Sequence, residues 1–168
     1  AMLFVGRVSK EKNLDLLVAA TRRLAESQTP VRPVIVGDGP YMAEMKRLLG
    51  DAIFTGYLGG EDLARAYASA DFFVFPSTTD TFGNVILEAQ ASGIPVIVSD
   101  VGGPRDLVSQ GVDGFVTKGQ DAADLADAIR KLSVDADLRQ SMGASGRSRV
   151  ETRDWTEAFQ KFWNESPE

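Results

Sequence analysis

The chain has 168 residues, enough for one domain with its own core, and 43% of them are apolar and 25% charged. It contains no cysteine and no histidine, which excludes disulfide scaffolds, cysteine-ligated metals and a histidine general base. Its net charge of −6 argues against a nucleic-acid partner. Any chemistry must therefore use carboxylates, Lys, Arg and backbone N–H groups.

Short apolar runs alternate with segments of helical periodicity along most of the chain. Strands are predicted at residues 3–5, 34–36, 53–55, 72–75, 96–98 and 115–116. Helices are predicted at about 14–25, 42–49, 63–70 and 84–92, and another after Asp121, the expected N-cap. This alternation predicts a doubly wound, Rossmann-like α/β domain with a parallel sheet of about six strands. Ligands of such sheets bind beyond the carboxyl ends of the strands.

The region after Ser133 is predicted to be helical only, with a break at residues 143–146. The last helix carries an aromatic stripe, which is typical of a core-facing surface; docking onto a neighbouring domain is the alternative. No internal repeat or linker is visible, so residues 1–168 are predicted to form one domain. The stripe consists of Trp155, Phe159, Phe162 and Trp163.

A basic turn follows the first predicted strand. Arg7, Lys10 and Lys12 lie between the end of this strand and the start of a helix. A guanidinium fork, ammonium groups and the free N–H groups of a helix start together suit a diphosphate. For this segment alone, solvated loop charges are the better explanation.

A second candidate segment follows the fourth predicted strand. Asp80 lies in the loop, and the helix begins near residues 82–84. Glu88 lies one turn inside a helix that is apolar nearly all round, so we expect it to be buried and to need hydrogen-bond donors. Asn84 and Glu88 share a face directed toward the helix start, where a carboxylate could accept hydrogen bonds from ribose hydroxyls. Pairing with a neighbouring protein group is the alternative.

Together these segments resemble the C-terminal domain of the group 1, or family-four, glycosyltransferases of the GT-B fold. The resemblance covers nearly the whole chain, and the ordered set of motifs is far more specific than any single one. The motifs are Gly6-Arg7 with Lys12, Gly37-Asp38-Gly39-Pro40, Phe54-Thr55-Gly56, Pro76-Ser77, Phe82-Gly83, Glu88-Ala89 and Ser92-Gly93-Ile94-Pro95-Val96.

The resemblance implies carbohydrate biosynthesis by retaining transfer of a sugar from a nucleotide diphosphate sugar, a UDP- or GDP-hexose. Arg7 and Lys12 would hold the diphosphate and stabilise the leaving group, and with Asp80 they form the expected catalytic set. Glu88 would hold the ribose, and the segment Gly56-Tyr57-Leu58 would line the base. Neither a metal nor another cofactor is expected. The expected substrate-binding set is Gly6, Tyr57, Leu58, Phe82, Gly83, Asn84, Val85 and Glu88.

Two features depart from the family pattern. The family commonly has Glu at both ends of a motif with seven residues between, but here Asp80 takes the first position, with Glu88 at the second. Its shorter side chain changes the reach toward the donor sugar. The N-terminal domain, which binds the acceptor in this family, lies outside the 168 residues, so we expect this chain alone to bind a donor weakly and to transfer nothing.

The resemblance also bears on location and on alternative functions. It implies a cytoplasmic protein, with peripheral association at the inner face of the membrane through the full-length protein. A sugar-nucleotide epimerase and a receiver-like interaction module are the alternatives. Epimerases usually use acids and histidines that are missing here, and a receiver needs an Asp where this chain has Thr55-Gly56-Tyr57. A glycosyltransferase domain that has lost its activity is harder to separate from an active one.

Overall fold

The computed structural model describes residues 1–152, and these contain a single six-stranded sheet. All of its strand pairs are parallel, as predicted, and each strand begins and ends within two residues of its predicted position. Short apolar runs suit the central strands because the sheet is covered on both faces. The strands are β1 (Met2–Val5), β2 (Pro33–Val36), β3 (Ile53–Gly56), β4 (Phe72–Phe75), β5 (Val96–Ser99) and β6 (Gly114–Thr117).

The strands lie in the order β3-β2-β1-β4-β5-β6, the doubly wound arrangement. The direction of winding reverses between β1 and β4, where Met2 pairs with Phe72 and Leu3 with Phe73. In such sheets, a crevice opens beyond the carboxyl ends of the two strands at the reversal. The order therefore brings the turn after β1 next to the turn after β4, although about 70 residues separate them.

Six α-helices connect and cover the strands of the described residues. As predicted, the carboxylate of Asp121 caps one of them by accepting hydrogen bonds from Asp124 N at 3.1 Å and Ala123 N at 2.9 Å. These bonds hold the pKa of the Asp121 carboxyl below its usual value. The helices are α1 (Leu14–Glu26), α2 (Met42–Leu48), α3 (Gly60–Ala68), α4 (Asn84–Ala91), α5 (Ala122–Val134) and α6 (Ala136–Glu151), with short 3₁₀ turns at Lys10–Lys12 and Gly103–Leu107.

Helices pack on both faces of the sheet. On one face α1 packs against α5, and on the other α4 packs against α6. The central strands β1, β4 and β5 are buried along their whole length. At the reversal the ring of Phe75 stacks on those of Phe4 and Phe73, with centroids 6.0 and 6.2 Å apart. The floor beneath the crevice is therefore a packed aromatic layer.

The predicted break at residues 143–146 is wrong, because α6 continues from Ala136 to Glu151. Gly143 serves close packing instead. A Cβ atom there would lie 2.0 Å from the carbonyl oxygen of Gly93, just after α4. The glycine lets the two backbones approach, while the intrahelical hydrogen bonds of α6 remain intact. The predicted aromatic stripe, at 155–163, falls outside the described residues.

Candidate functional site

A cavity of about 290 Å³ opens where the winding reverses, beyond the ends of β1 and β4. One rim is formed by the turn after β1 and the other by the loop after β4 with the start of α4. The structure thus brings together eight of the eleven residues predicted for the site. The cavity is lined by Gly6, Arg7, Lys12, Asp80, Phe82, Gly83, Asn84 and Val85, with Val5 and Phe75 beneath.

Arg7 forms the outer part of the basic rim. The turn that carries it is anchored by a hydrogen bond from Gly6 N to the carbonyl oxygen of Val36, at 3.0 Å. The Arg7 side chain is 66% exposed, and its Nη1 lies 3.9 Å from Oε1 of Glu11. Such a loose surface contact contributes little. The guanidinium therefore keeps its hydrogen-bonding capacity for a ligand.

Lys12 and Asp80 form an ion pair across the cavity. Lys12 Nζ donates to Asp80 Oδ1 at 2.8 Å and to Oδ2 at 3.0 Å. The two side chains are only 18% and 22% exposed, so water screens the pair less than it would on an open surface. An ammonium carries three protons, and one remains for a further acceptor. The sequence predicted both residues but not that they contact one another.

The start of α4 supplies backbone donors. Gly83 is its N-cap, no side chain caps the helix, and its first turn carries no acidic residue. Among residues 1–152, no acceptor bonds to the N–H of Asn84 or Val85. Both residues line the cavity. Free N–H groups and the positive end of the helix dipole favour an anion at this rim.

Glu88 lies one turn beyond Asn84, outside the residues that line the cavity. The expectation that it is buried is wrong: its residue is exposed. The buried polar residue of α4 is Gln90, whose Nε2 donates to Leu107 O at 2.9 Å. Because the helix is apolar nearly all round, its sequence did not indicate which face the neighbouring elements would cover. The expected hydrogen-bond donor is present, since Tyr67 Oη donates to Glu88 Oε2 at 2.9 Å.

Tyr57 and Leu58, predicted to line the base, lie outside the cavity. Tyr57 follows β3 and is 84% exposed. Leu58 lines a separate, mostly apolar groove beside α3, together with Leu3 and Val34. The structure does not join these residues to the other predicted ones, and their contact with a base stays a prediction.

Asn13 is a structural residue of the site that the sequence did not reveal. Its backbone is left-handed, with φ of 56°, and its Nδ2 donates to Pro76 O at 3.2 Å and to Gly119 O at 2.7 Å. One side chain thus ties the turn after β1 to the loops after β4 and β6. Asn tolerates left-handed backbone better than most residues, and this is the one sequence signal that could have indicated a special role.

The family model described as "Glycosyl transferases group 1" matches residues 1–149. This chain belongs to the group 1 glycosyltransferases. The sulfoquinovosyl transferase of Arabidopsis thaliana is 38% identical over 98% of this chain and 32% of its own length. A GDP-mannose-dependent alpha-mannosyltransferase of Corynebacterium glutamicum is 40% identical over 90% of this chain and 36% of its own length.

Solved structures share the fold. HepE of Anabaena, in complex with UDP, superposes with a TM-score of 0.82 and 26% identity over 97% of this chain and 47% of its own. Sucrose-phosphate synthase from Thermosynechococcus elongatus superposes with a TM-score of 0.81 and 30% identity. The match covers 98% of this chain and 46% of the synthase chain. The group 1 chain described here thus spans about a third of the length of these curated relatives and just under half of these solved chains.

Membership in a group 1 family favours transfer over the epimerase and the receiver-like module. Within residues 1–152, no group of three or more Asp, Glu, His or Cys side chains is arranged to hold a metal ion. Reaction without a metal or another cofactor stays a prediction.

In the same part of the chain, no helix is long and apolar enough to cross a bilayer. The cellular location also stays a prediction.

Proposed function

We propose that this chain is the donor-binding half of a retaining group 1 glycosyltransferase that uses a UDP- or GDP-hexose. One observation carries the proposal: Arg7, Lys12, Asp80 and the free start of α4 line a single cavity at the strand reversal. The relatives support this choice of donor, since one is named as GDP-mannose-dependent and another was solved with UDP.

The diphosphate would lie between the two rims of the cavity. When the bond from the sugar to the diphosphate breaks, negative charge grows on the departing phosphate oxygen. Arg7, the remaining proton of Lys12 and the N–H groups at the start of α4 can stabilise that charge. Because the charge is larger in the transition state than in the bound donor, these groups accelerate the reaction as well as hold the donor.

Asp80 and Glu88 would bind the two sugars of the donor. Asp80 faces the cavity and can accept a hydrogen bond from a hydroxyl of the transferred hexose, while Glu88 accepts from the ribose. Fixed protein cations supply the charge compensation in this proposal, so the reaction needs no metal. Retention is proposed from the family resemblance, and proton NMR of the product made by the full-length protein would report its anomeric configuration.

The remaining part of the longer protein would bind the acceptor and complete the cleft. The length of the relatives supports this division, because the chain covers only 32% and 36% of two of them. The 168 residues alone would bind donor weakly and transfer nothing. A cytoplasmic location, with peripheral contact at the inner face of the membrane through the rest of the protein, belongs to the same proposal.

An NMR titration of the ¹⁵N-labelled chain with UDP-glucose and GDP-mannose tests the donor site. We expect one of the two to shift the amide signals of residues 6–12 and 80–88. Loss of a charge-assisted hydrogen bond in Arg7→Ala should weaken binding about tenfold or more, and Glu88→Ala should also weaken it.

Arg147→Ala is the matched control, since Arg147 is 60% exposed and pairs with a Glu four residues away, as Arg7 does. It should leave the affinity unchanged. Shifts that avoid both rims at millimolar nucleotide would overturn the proposed site. Donor binding without any transfer by the full-length protein would instead identify a domain that has lost its activity.

A further inference from the structure

Tyr67 carries a buried phenol to which the proposed function assigns no role. It lies on the last turns of α3 and is only 2% exposed. Its ring packs against that of Phe73, with centroids 5.8 Å apart and planes inclined by 42°. The ring is therefore held in one place, and its hydroxyl points in one direction.

That direction is toward Glu88. Tyr67 Oη lies 2.9 Å from Glu88 Oε2 and 3.4 Å from the carbonyl oxygen of Val85. A phenol has one proton, and the nearer, charged carboxylate is the stronger acceptor. Burial, and then the hydrogen bond to Glu88, raise the pKa of Tyr67, so the phenol remains a donor at neutral pH.

Glu88 has little else to orient it. Among residues 1–152, no Lys or Arg lies within ion-pair distance of its carboxylate, and Tyr67 is its one side-chain donor. The bond engages Oε2 and leaves Oε1 free to accept. Without this bond, the exposed side chain of Glu88 could adopt several rotamers.

We infer that Tyr67 is a positioning residue that holds the Glu88 carboxylate ready to accept a hydrogen bond from the ribose of the donor. The inference rests on the proposed function, because it assumes a nucleotide at this site. A side chain that is already ordered loses less rotamer freedom on binding. For one such side chain the gain in affinity is about two- to tenfold.

The test compares UDP with 2′,3′-dideoxy-UDP, and GDP with its dideoxy analogue, by calorimetry or NMR titration. The wild-type chain should bind the dideoxy nucleotide about tenfold more weakly, since the carboxylate loses its ribose partners. Tyr67→Phe should weaken the binding of the natural nucleotide about two- to tenfold and leave the binding of the dideoxy analogue unchanged. In a Glu88→Ala background, which leaves Tyr67 no side-chain acceptor at this position, Tyr67→Phe should have no further effect.

If Tyr67 had a purely structural role, Tyr67→Phe would weaken the binding of the natural nucleotide and of its dideoxy analogue by the same factor. That result would overturn the inference. The inference would also fail if the wild type and Tyr67→Phe preferred the natural nucleotide over the dideoxy analogue by the same ratio. The proposed donor site would then remain in place. If the wild type binds neither nucleotide, or binds both equally well, the role proposed for Glu88 fails and the inference with it.

Discussion

Lys12 and Asp80 line the cavity as an ion pair, although each was expected to bind a different part of the donor. A diphosphate that enters the cavity brings a second anion to the same ammonium. In the proposed site, Asp80 would therefore have two opposing effects on the donor: it is available to a sugar hydroxyl, and it repels the phosphates. The two effects separate when the ligand carries no sugar beyond the ribose.

Asp80→Asn should accordingly tighten the binding of UDP or GDP, about three- to fivefold, because a negative charge leaves the diphosphate site and frees Lys12. Transfer by the full-length protein should become slower at the same time. Calorimetry at physiological salt measures the first effect and an activity assay the second. Asp127→Asn, which removes an exposed partner of Arg130 on α5, is the control. Weaker UDP binding by Asp80→Asn would contradict this account of the pair.

At the scale of elements, the site depends on loops that Asn13 connects. Asn13→Gly keeps the left-handed backbone and removes the hydrogen bonds to Pro76 and Gly119, which should lower the free energy of unfolding by about 1–2 kcal/mol. Asn13→Ala should cost about 1 kcal/mol more, because Ala is strained at this φ. Urea unfolding gives both values.

Gln28 is the matched control, as the other non-glycine residue with left-handed φ, 55°, in residues 1–152. It is exposed, and its side chain makes no hydrogen bond to the described part of the protein. Gln28→Gly should therefore raise stability by up to about 1 kcal/mol. If Asn13→Gly were equally stabilising, Asn13 would not hold the loops together.

The packing of α6 against the end of α4 gives a second prediction at this scale. Gly143→Ala should destabilise the protein by about 2 kcal/mol or more, because the methyl group would meet the Gly93 carbonyl, which cannot move without the backbone. At Gly146 the nearest atom is Cγ of the Gln90 side chain, at 3.3 Å, and Gly146→Ala should change stability by less than about 1 kcal/mol. Thermal unfolding measures the stability of both variants. Similar losses of stability would show that the close approach at residue 143 is unimportant.

At the scale of the whole molecule, Tyr41 links α1 to α2 by donating its phenolic proton to Asp15. Burial, and then this hydrogen bond, raise the pKa of Tyr41 from 10 to about 12. The unfolded chain therefore loses this proton at a lower pH than the folded protein. The resulting stability, about 2–3 kcal/mol, is present below pH 10 and is lost as the pH rises to 12.

Tyr41→Phe should make the fall in unfolding free energy between pH 10 and pH 12 less steep, because one buried phenol whose pKa folding raises is gone, while Tyr67 remains. Chemical unfolding at pH 8, 10 and 11.5 measures the slope. Tyr57→Phe removes an exposed phenol and should leave the slope as in the wild type. An unchanged slope in Tyr41→Phe would mean that other groups set the alkaline limit.

Much of this architecture could be predicted because it is encoded locally. Short apolar runs marked the strands, and the residues after them marked the rims of the cavity. The contacts within the site could not be predicted in the same way, since the partners of Lys12 and Asn13 lie more than 60 residues away along the chain. The exposure of Glu88 and the continuity of α6 depend on how helices pack, and a pattern within one helix does not contain that information.

The strand order also divides the sheet into two continuous parts of the chain, residues 1–56 with β1–β3 and residues 72–117 with β4–β6. The candidate cavity lies on the seam between them, with Arg7 and Lys12 on one side and Asp80 and α4 on the other. Neither part carries a complete site. A nucleotide in this cavity would touch both parts, so its binding free energy would oppose the separation of β1 from β4. The unfolding temperature would then rise with the logarithm of the free nucleotide concentration once that concentration exceeds the Kd.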